Sequence, residues 1–302
     1  MRAGPVAAVR LIAWVAGLAL WLAAAQADAQ TLHYCGFHQV CRDMRAWTGG
    51  HVVVLTMPDE VLDQAVMARL VADYDKGWAI YARLVGYKPQ AKPCCTFDGK
   101  TSIVQSPDPD PIAAARGHIG GNGIELYKGH FRTIYDEFSA TERHSHIVFH
   151  EMGRNFWRWR PQLGALKAFE VGFAIANKFI VMDRAGLHGA PFRAMSFDRL
   201  KTSLLEETWA TYRSRPDLTW KDVLVDGRFP ANPDGWGAND LAGAIFTQAY
   251  RRLGDSGYAR FFAALNMRPQ AATPQQAVAN FIAAGRVAGQ DFTDLFQGYG
   301  PD

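Results

Sequence analysis

The alternation of apolar and polar positions predicts strands in the first part of the chain. Residues 51–57 (HVVVLTM) form an apolar run of strand length, which is typical of a buried strand. A helical spacing follows from Pro58 to Gly86, a residue that readily adopts the left-handed conformation found at helix ends. Two more strands are predicted at residues 101–105 and 124–127. This part of the chain is therefore expected to form a sheet with a helix packed on it.

The pattern from residue 139 onward is mainly helical. Residues 139–142 (SATE) match a capping box, which predicts a helix that continues to Arg160. Two later helices are predicted over residues 239–254 and 273–289, and each of these segments ends at a glycine. A strand-bearing half followed by a helical half predicts an α+β fold.

Residues 1–29 have the features of a signal peptide. Two arginines precede an apolar run at residues 11–25, which is too short to span a bilayer. The small residues that signal peptidases require allow cleavage after Ala27 or after Ala29. The mature protein is therefore expected to be secreted or periplasmic, with no stable membrane span after cleavage.

The remaining chain, residues 30–302, is expected to fold as a single unit. It is predicted to comprise a strand-bearing lobe at residues 30–138 and a helical lobe at residues 139–302. Hydrophobic residues make up 49% of the chain, which is enough for a sizeable core. The formal net charge is only +3, and the basic residues are scattered, so a nucleic-acid partner is not expected.

All four cysteines lie in the first third of the chain, at Cys35, Cys41, Cys94 and Cys95. Export favours disulfides over free thiols. We expect bridges between the amino-terminal segment and the Cys94–Cys95 loop, because a bridge between sequence neighbours closes a strained eight-membered ring. The spacing is not that of a Cys-x2-Cys motif, so these cysteines do not predict a metal site.

The most informative motif lies at residues 150–157 (HEMGRNFW). Metal-dependent hydrolases place two histidines four residues apart on a helix, and a glutamate after the first histidine polarises the metal-bound water. His150 and Glu151 match the first half of this pattern. Arg154 stands where the second histidine is expected, and a guanidinium cannot ligate zinc.

These residues resemble the active-site helix of the gluzincin metallopeptidases, the zinc enzymes that include thermolysin-like enzymes and zinc aminopeptidases. Two other segments are similar to that family: residues 169–174 (FEVGFA), where the family places a glutamate ligand, and the helical tail at 280–300. The resemblance implies a zincin-like α+β fold, His150 and Glu170 as zinc ligands, and Glu151 as the general base. The chain would be a degenerate member, with HExxR in place of HExxH.

Two interpretations of the missing ligand remain open. His146 lies one helical turn before His150, so its imidazole shares a face with that of His150 and could complete a zinc site. Alternatively, Arg154 pairs with Glu151 or Glu170 and replaces the metal site by a network of ion pairs. Tyr212 and Tyr250 are candidates for stabilising an oxyanion, but a structural role, as half-buried tyrosines with a bonded hydroxyl, is favoured for both.

Three functions are consistent with these observations. The first is a secreted, zinc-dependent hydrolase of peptide or cell-wall material with an atypical ligand set. The second is a catalytically inactive exported protein that uses the same fold to bind a peptide or glycan. The third is a structural exported protein that has no ligand cleft.

Overall fold

A computed structural model describes residues 30–107, 114–127 and 129–300. The predicted signal peptide, residues 1–29, lies outside the described residues. No helix in the described part of the chain is long and apolar enough to cross a membrane.

The first part of the chain forms a seven-stranded mixed sheet. Its strands are β1 (Thr31–Cys35), β2 (Cys41–Thr48), β3 (Val52–Thr56), β4 (Thr96–Phe97), β5 (Lys100–Gln105), β6 (Ala115–Gly117) and β7 (Ile124–Leu126). The strand order is β1-β2-β3-β5-β7-β6, and β4 pairs with β5. The pairs β3–β5 and β5–β7 are parallel, and the other pairs are antiparallel. The central strand β3 is buried along its whole length, as its apolar run predicts.

The helices pack against one face of the sheet and against one another around a single large core. The helices are α1 (Gln64–Val85), α2 (His130–Thr141), α3 (His146–Phe156), α4 (Arg160–Leu163), α5 (Ala168–Ala185), α6 (Phe197–Lys201), α7 (Thr208–Arg213), α8 (Trp220–Leu224), α9 (Ala238–Asn266) and α10 (Pro274–Ala288). A short π-helical segment, Thr202–Glu207, joins α6 to α7, and a 3-10 turn, Thr293–Leu295, follows α10.

The predicted α+β fold is confirmed: the sheet lies in the amino-terminal half and the helices dominate the remainder. The left-handed cap at Gly86 is also confirmed, because this residue ends α1 with a φ of 75°. The boundary predicted between the two lobes falls inside α2, and the division into lobes stays a prediction.

The predicted helix that starts at the SATE segment is wrong. Residues 139–141 form the end of α2, and Glu142 closes that helix in the left-handed conformation, with a φ of 56°. The next helix, α3, begins after Ser145, whose side chain accepts a hydrogen bond from the N–H of Ile147. A serine does cap this helix, as predicted, but it is Ser145, six residues after the predicted Ser139.

The predicted disulfide pairing is also wrong. The structure pairs Cys35 with Cys41 and Cys94 with Cys95. Because β1 and β2 form a hairpin in which Cys35 lies opposite Cys41, their Cα atoms are only 3.9 Å apart. The antiparallel register of this hairpin, which the sequence pattern did not reveal, decides the connectivity.

Small residues let the helices that carry the candidate site approach one another closely. A Cβ atom on Gly153 of α3 would lie 3.1 Å from the Cα of Ala174 on α5. A Cβ atom on Gly172 of α5 would lie 2.5 Å from the Cβ of Ala242 on α9. Both glycines are therefore needed for the contacts that set α5 between α3 and α9.

Candidate functional site

Helix α3 presents His146, His150 and Glu151 to a cavity of about 460 Å³, a volume within the range of small-ligand sites. The remaining wall is largely apolar and comes from the start of β6, from α5, α6, α9 and the π-helical segment, and from the loops that carry Phe192, Arg193 and Trp236. The lining residues are Ala114, Ala115, His146, Ile147, His150, Glu151, Ile175, Lys178, Phe192, Arg193, Leu200, Leu204, Trp236 and Asp240.

Lys178 of α5 is the central cation of this cavity, and it was not predicted as a site residue from the sequence. Its side chain is buried, and its Nζ lies 3.3 Å from Nδ1 of His146. Burial lowers the pKa of Lys178 to about 7, while the nearby Asp240 and Glu151 carboxylates act in the opposite direction. The signal available in the sequence was a lysine within the apolar stretch of a helix, eight residues after Glu170.

The contact with Lys178 bears on the protonation of His146. When Lys178 is an ammonium it only donates hydrogen bonds, so Nδ1 of His146 then accepts and Nε2 carries the ring proton. That Nε2 is buried and has no hydrogen-bond partner among the described residues. Burial, together with Lys178 and the neighbouring histidines, lowers the pKa of His146 to about 2, and burial lowers that of His150 well below its usual range. Both imidazoles are therefore neutral.

Glu151 is held by the backbone of the neighbouring strand β6. Its Oε2 accepts a hydrogen bond of 2.6 Å from the N–H of Gly117. Burial raises the pKa of Glu151 to about 7, against the opposing effects of Arg154, the Gly117 N–H and Lys178. A carboxyl group with this pKa exchanges its proton near neutrality, as a general base or acid requires.

Arg154 lies between the two glutamates that the resemblance assigns to catalysis and zinc binding. Its Nε is 3.7 Å from Glu151, and its guanidinium is 4.0 Å from Glu170. Glu170 has a second cation, Arg160, at 3.8 Å. The ion-pair network weighed as the alternative to a metal site is therefore present, and it connects α3 to α5.

The residues that the resemblance assigns as zinc ligands do not fit a zinc ion in this arrangement. Zinc needs several lone pairs directed at one point, whereas Nδ1 of His146 accepts from Lys178 and Glu170 faces two arginines. Within the described ranges, two groups of three potential ligands have their ligand atoms within 4.8 Å of one another, and neither group includes His146, His150 or Glu170. Those groups are His33 with Cys35 and Cys41, and His118 with Cys94 and Cys95.

Neither tyrosine considered as an oxyanion donor lines the cavity. The hydroxyl of Tyr212 accepts a hydrogen bond from the N–H of Gln297. The hydroxyl of Tyr250 donates to Asp255. Both tyrosines therefore have a structural role, because their hydroxyls are bonded to other parts of the protein.

Comparison with known proteins supports the fold more than a function. No family model matches the chain, and no curated protein matches it. A solved structure described as a functionally unknown conserved protein from Bacillus anthracis str. Ames is similar over 82% of this chain, with a TM-score of 0.51 and 15% identity. A mutant of that protein gives a TM-score of 0.51 and 14% identity. This chain spans 46% of the length of each of these structures.

An M1 zinc metallopeptidase from Deinococcus radiodurans, solved as an E323A mutant with a Tyr-Ser-Ala substrate, is also similar to this chain. The likeness covers 86% of this chain and 50% of the peptidase, with a TM-score of 0.39 and 11% identity. Such a likeness does not assign an activity.

Proposed function

We propose that this protein is an exported, degenerate relative of the gluzincin metallopeptidases that binds peptides by their C-terminal carboxylate without hydrolysing them. In this proposal the ammonium of Lys178 takes the place of a metal cation. The observation that carries the proposal is the hydrogen bond from Lys178 to Nδ1 of His146, which turns a potential metal-ligand site into a site of hydrogen-bond donors.

The ammonium of Lys178 has donors left for a ligand. It carries three N–H groups, and His146 is the only hydrogen-bond acceptor it contacts among the described residues. Asp240 instead accepts the N–H of Gly237 and forms no ion pair with Lys178 within 4.0 Å in the described structure. A carboxylate oxygen is the acceptor that best matches a buried ammonium with unused donors.

The surrounding wall suits a peptide end. Ile175, Leu200 and Leu204 provide an apolar surface for the last side chain of a peptide, beside the cation that would hold its carboxylate. Arg193 is exposed at the margin of the same cavity and adds a second positive charge. A neutral glycan offers neither the negative charge nor the apolar group that these residues would recognise.

The ion pairs of Arg154 argue against hydrolysis. Peptide hydrolysis of the metallopeptidase type needs a metal-bound water and a glutamate that takes its proton. Here Arg154 contacts both Glu151 and Glu170, and its charge cannot be lost. The zinc-dependent hydrolase considered above is therefore the competing function, and it makes opposite predictions.

Two disulfides in the described chain support an oxidising compartment, either the periplasm or the extracellular medium. Together with the leader-like residues 1–29, they are the basis for proposing export.

The test is a calorimetric titration with two probes, acetyl-Ala-Ala-Phe as the free acid and the same peptide as its C-terminal amide. The native protein, with both disulfides intact, should bind the acid at least about tenfold more tightly than the amide, because charged hydrogen bonds contribute about 1.5–3 kcal/mol. Lys178→Met should abolish this preference. Lys221→Met, which removes an exposed lysine of α8, should preserve it.

Other outcomes would reject the proposal. Equal binding of acid and amide would exclude a carboxylate site, and no binding of either peptide would leave the structural alternative. Stoichiometric zinc that is lost in His150→Ala, with hydrolysis lost in Glu151→Gln, would establish the metallopeptidase instead.

A further inference from the structure

A second cluster of reactive side chains lies away from the cavity, where the disulfide between Cys94 and Cys95 meets His118. Nε2 of His118 is 3.6 Å from the Sγ of Cys94 and 3.5 Å from the Sγ of Cys95. No spacing in the sequence indicates this arrangement, because His118 is more than twenty residues from either cysteine.

This disulfide is poorly suited to a stabilising role. A disulfide stabilises a protein mainly by restricting the unfolded chain, and the effect grows with the length of the loop that it closes. A bridge between adjacent residues, with a sequence separation of 1, closes the shortest possible loop. The bridge is therefore expected to add little to the stability of the fold.

We propose that reduction of the Cys94–Cys95 bridge opens a binding site for a zinc-class d10 cation, with Cys94, Cys95 and His118 as its three protein ligands. This site would depend on the redox state of the protein, and it is separate from the peptide site proposed above.

The distances already match such a site. Zinc is bound at about 2.3 Å by a thiolate and at about 2.0 Å by an imidazole nitrogen. Sulfur and nitrogen atoms 3.5 and 3.6 Å apart then subtend roughly 110° at the metal, close to the tetrahedral angle. Reduction releases the two sulfurs from their bond, and they need to separate to about 3.7 Å to complete the same geometry. A small movement of the two thiol groups is enough.

The imidazole of His118 is held in place by its neighbours. Its ring packs on Phe37 with the centroids 4.1 Å apart. Its carbonyl accepts a hydrogen bond of 2.9 Å from Asn155, and its N–H donates to the carbonyl of Gly123. Gly123 also lets Cys95 approach, because a Cβ atom there would lie 2.6 Å from the Cβ of Cys95. A ligand fixed in this way loses little freedom when it binds a metal.

The reaction balances with a thiol as the reductant. Two thiol molecules reduce the bridge, form one disulfide between themselves and leave two cysteine thiols. Binding of one divalent cation by both thiolates then releases two protons. Cys94 is the accessible sulfur for the first attack, because it is half-buried, whereas Cys95 is fully buried.

The bridge between Cys35 and Cys41 lies near His33 and provides an internal comparison. Only one of its sulfurs lies within a comparable distance of the imidazole, 3.8 Å from Cys35 to Nε2 of His33. Nδ1 of His33 contacts Asp43, and the His33 side chain is 66% exposed. Because only one sulfur lies near this imidazole and the group is exposed to solvent, we expect weaker binding there.

The experiment titrates Cd²⁺ alone into the Cys35→Ser/Cys41→Ser double variant and follows the sulfur-to-cadmium charge-transfer absorption. The oxidised variant should give no signal. After reduction by excess thiol and removal of that thiol under nitrogen, it should bind one equivalent. Adding His118→Ala should weaken binding by about tenfold or more, whereas adding His33→Ala should leave it unchanged.

A second measurement covers the case in which the double variant does not fold. In reduced native protein, Cd²⁺ should protect Cys94 and Cys95 from alkylation by iodoacetamide more strongly than it protects Cys35 and Cys41, as read by mass spectrometry of peptides. Absence of the charge-transfer signal after reduction, undiminished affinity without His118, or equal protection of both pairs would overturn the proposal.

Discussion

The neutral imidazole of His146 has one lone pair, and Lys178 uses it. Because of this contact, His146 no longer offers that lone pair to a metal ion, and the cavity instead offers the N–H groups of Lys178 to a ligand. Arg154 has a parallel effect on Glu151 and Glu170, whose carboxylates face a permanent cation. At the scale of single residues, two side-chain cations therefore favour anionic ligands over metal ions.

The buried lysine should make stability depend on pH in a defined direction. The folded protein releases the Lys178 proton near pH 7, whereas an ordinary lysine keeps it to about 10.5. Between these values the unfolded chain binds more protons, so the contribution of this group to stability rises as the pH rises. The free energy of unfolding of native protein minus that of Lys178→Met should increase from pH 7 to pH 10, by about 2–4 kcal/mol.

Urea denaturation at several pH values measures this difference. Lys221→Met, which removes an exposed lysine, serves as the control and should show a difference that stays constant with pH. A flat difference for Lys178→Met would show that this ammonium is not as strongly desolvated as the structure indicates.

The position of Arg154 also predicts that one substitution can restore a metal site. Arg154→His removes the guanidinium that faces Glu151 and Glu170 and places an imidazole four residues after His150. If the scaffold is that of a gluzincin, the variant should bind one equivalent of zinc after dialysis, measured by elemental analysis with the disulfides intact. Arg154→Gln removes the same charge without adding a ligand and should remain free of zinc. Zinc in neither variant would count against the resemblance.

At the scale of elements, the long helix α9 shows a limit of predicting helix ends from the sequence pattern. The sequence predicted an end at Gly254, and this residue does leave the helical conformation, with φ 63° and ψ −179°. The chain then resumes a helical path to Asn266, so Gly254 marks a kink between two helical segments. The glycine identified the break in the sequence, but it did not show that a second helical segment follows directly.

Gly254 should be intolerant of a side chain for reasons of backbone geometry alone. A Cβ atom there would meet no other atom within 4 Å, yet its φ and ψ lie in a region that is essentially restricted to glycine. Gly254→Ala should lower the free energy of unfolding by about 1–3 kcal/mol, as measured by chemical denaturation. Ser256→Ala, two residues further along α9, is the control and should change it by less than about 0.5 kcal/mol. An equal effect of the two substitutions would contradict this interpretation.

The elements that the sequence predicted correctly are those with strong local signals. The apolar run of β3, the cap of α1 at Gly86 and the end of α10 at Gly289 all depend on residues close to one another in the chain. The hairpin of β1 and β2 was not predicted, because its strands mix polar and apolar residues and include edge positions. Without that hairpin the disulfide pairing could not be deduced.

The same limit applies to the candidate site. His150, Glu151 and Arg154 could be identified because they share one helix. Lys178 and His118 could not, since only the folded chain brings Lys178 to His146 and His118 to the two cysteines. Both proposed sites are formed by residues from distant segments, and their contacts cannot be predicted from spacing in the sequence.

At the scale of the whole molecule, β6 lies between the two proposed sites. Gly117 donates its N–H to Glu151 at the cavity, and the next residue, His118, reaches the Cys94–Cys95 bridge. Asn155 of α3 ties the same segment to the helix by donating to the carbonyl of His118. Helix α3 and the end of β6 therefore hold both sites in a fixed relation.

Export of the molecule is a further prediction at this scale. The full-length chain expressed in a bacterium should be recovered from the periplasm or medium with Asp28 or Gln30 as its first residue, identified by intact mass and amino-terminal sequencing. Recovery of uncleaved protein in the cytoplasm, with all four cysteines reduced, would contradict the proposed compartment.

The central claim is that Lys178, not a metal ion, holds a ligand in the cavity of α3 and α5. Its most direct test is calorimetric titration of acetyl-Ala-Ala-Phe into the native protein and into Lys178→Met, each in the presence of excess chelator and again with added zinc. We predict that the native protein binds equally well with chelator and with zinc, and that Lys178→Met loses at least about tenfold in affinity in both conditions. Binding that requires zinc and persists in Lys178→Met would contradict the account.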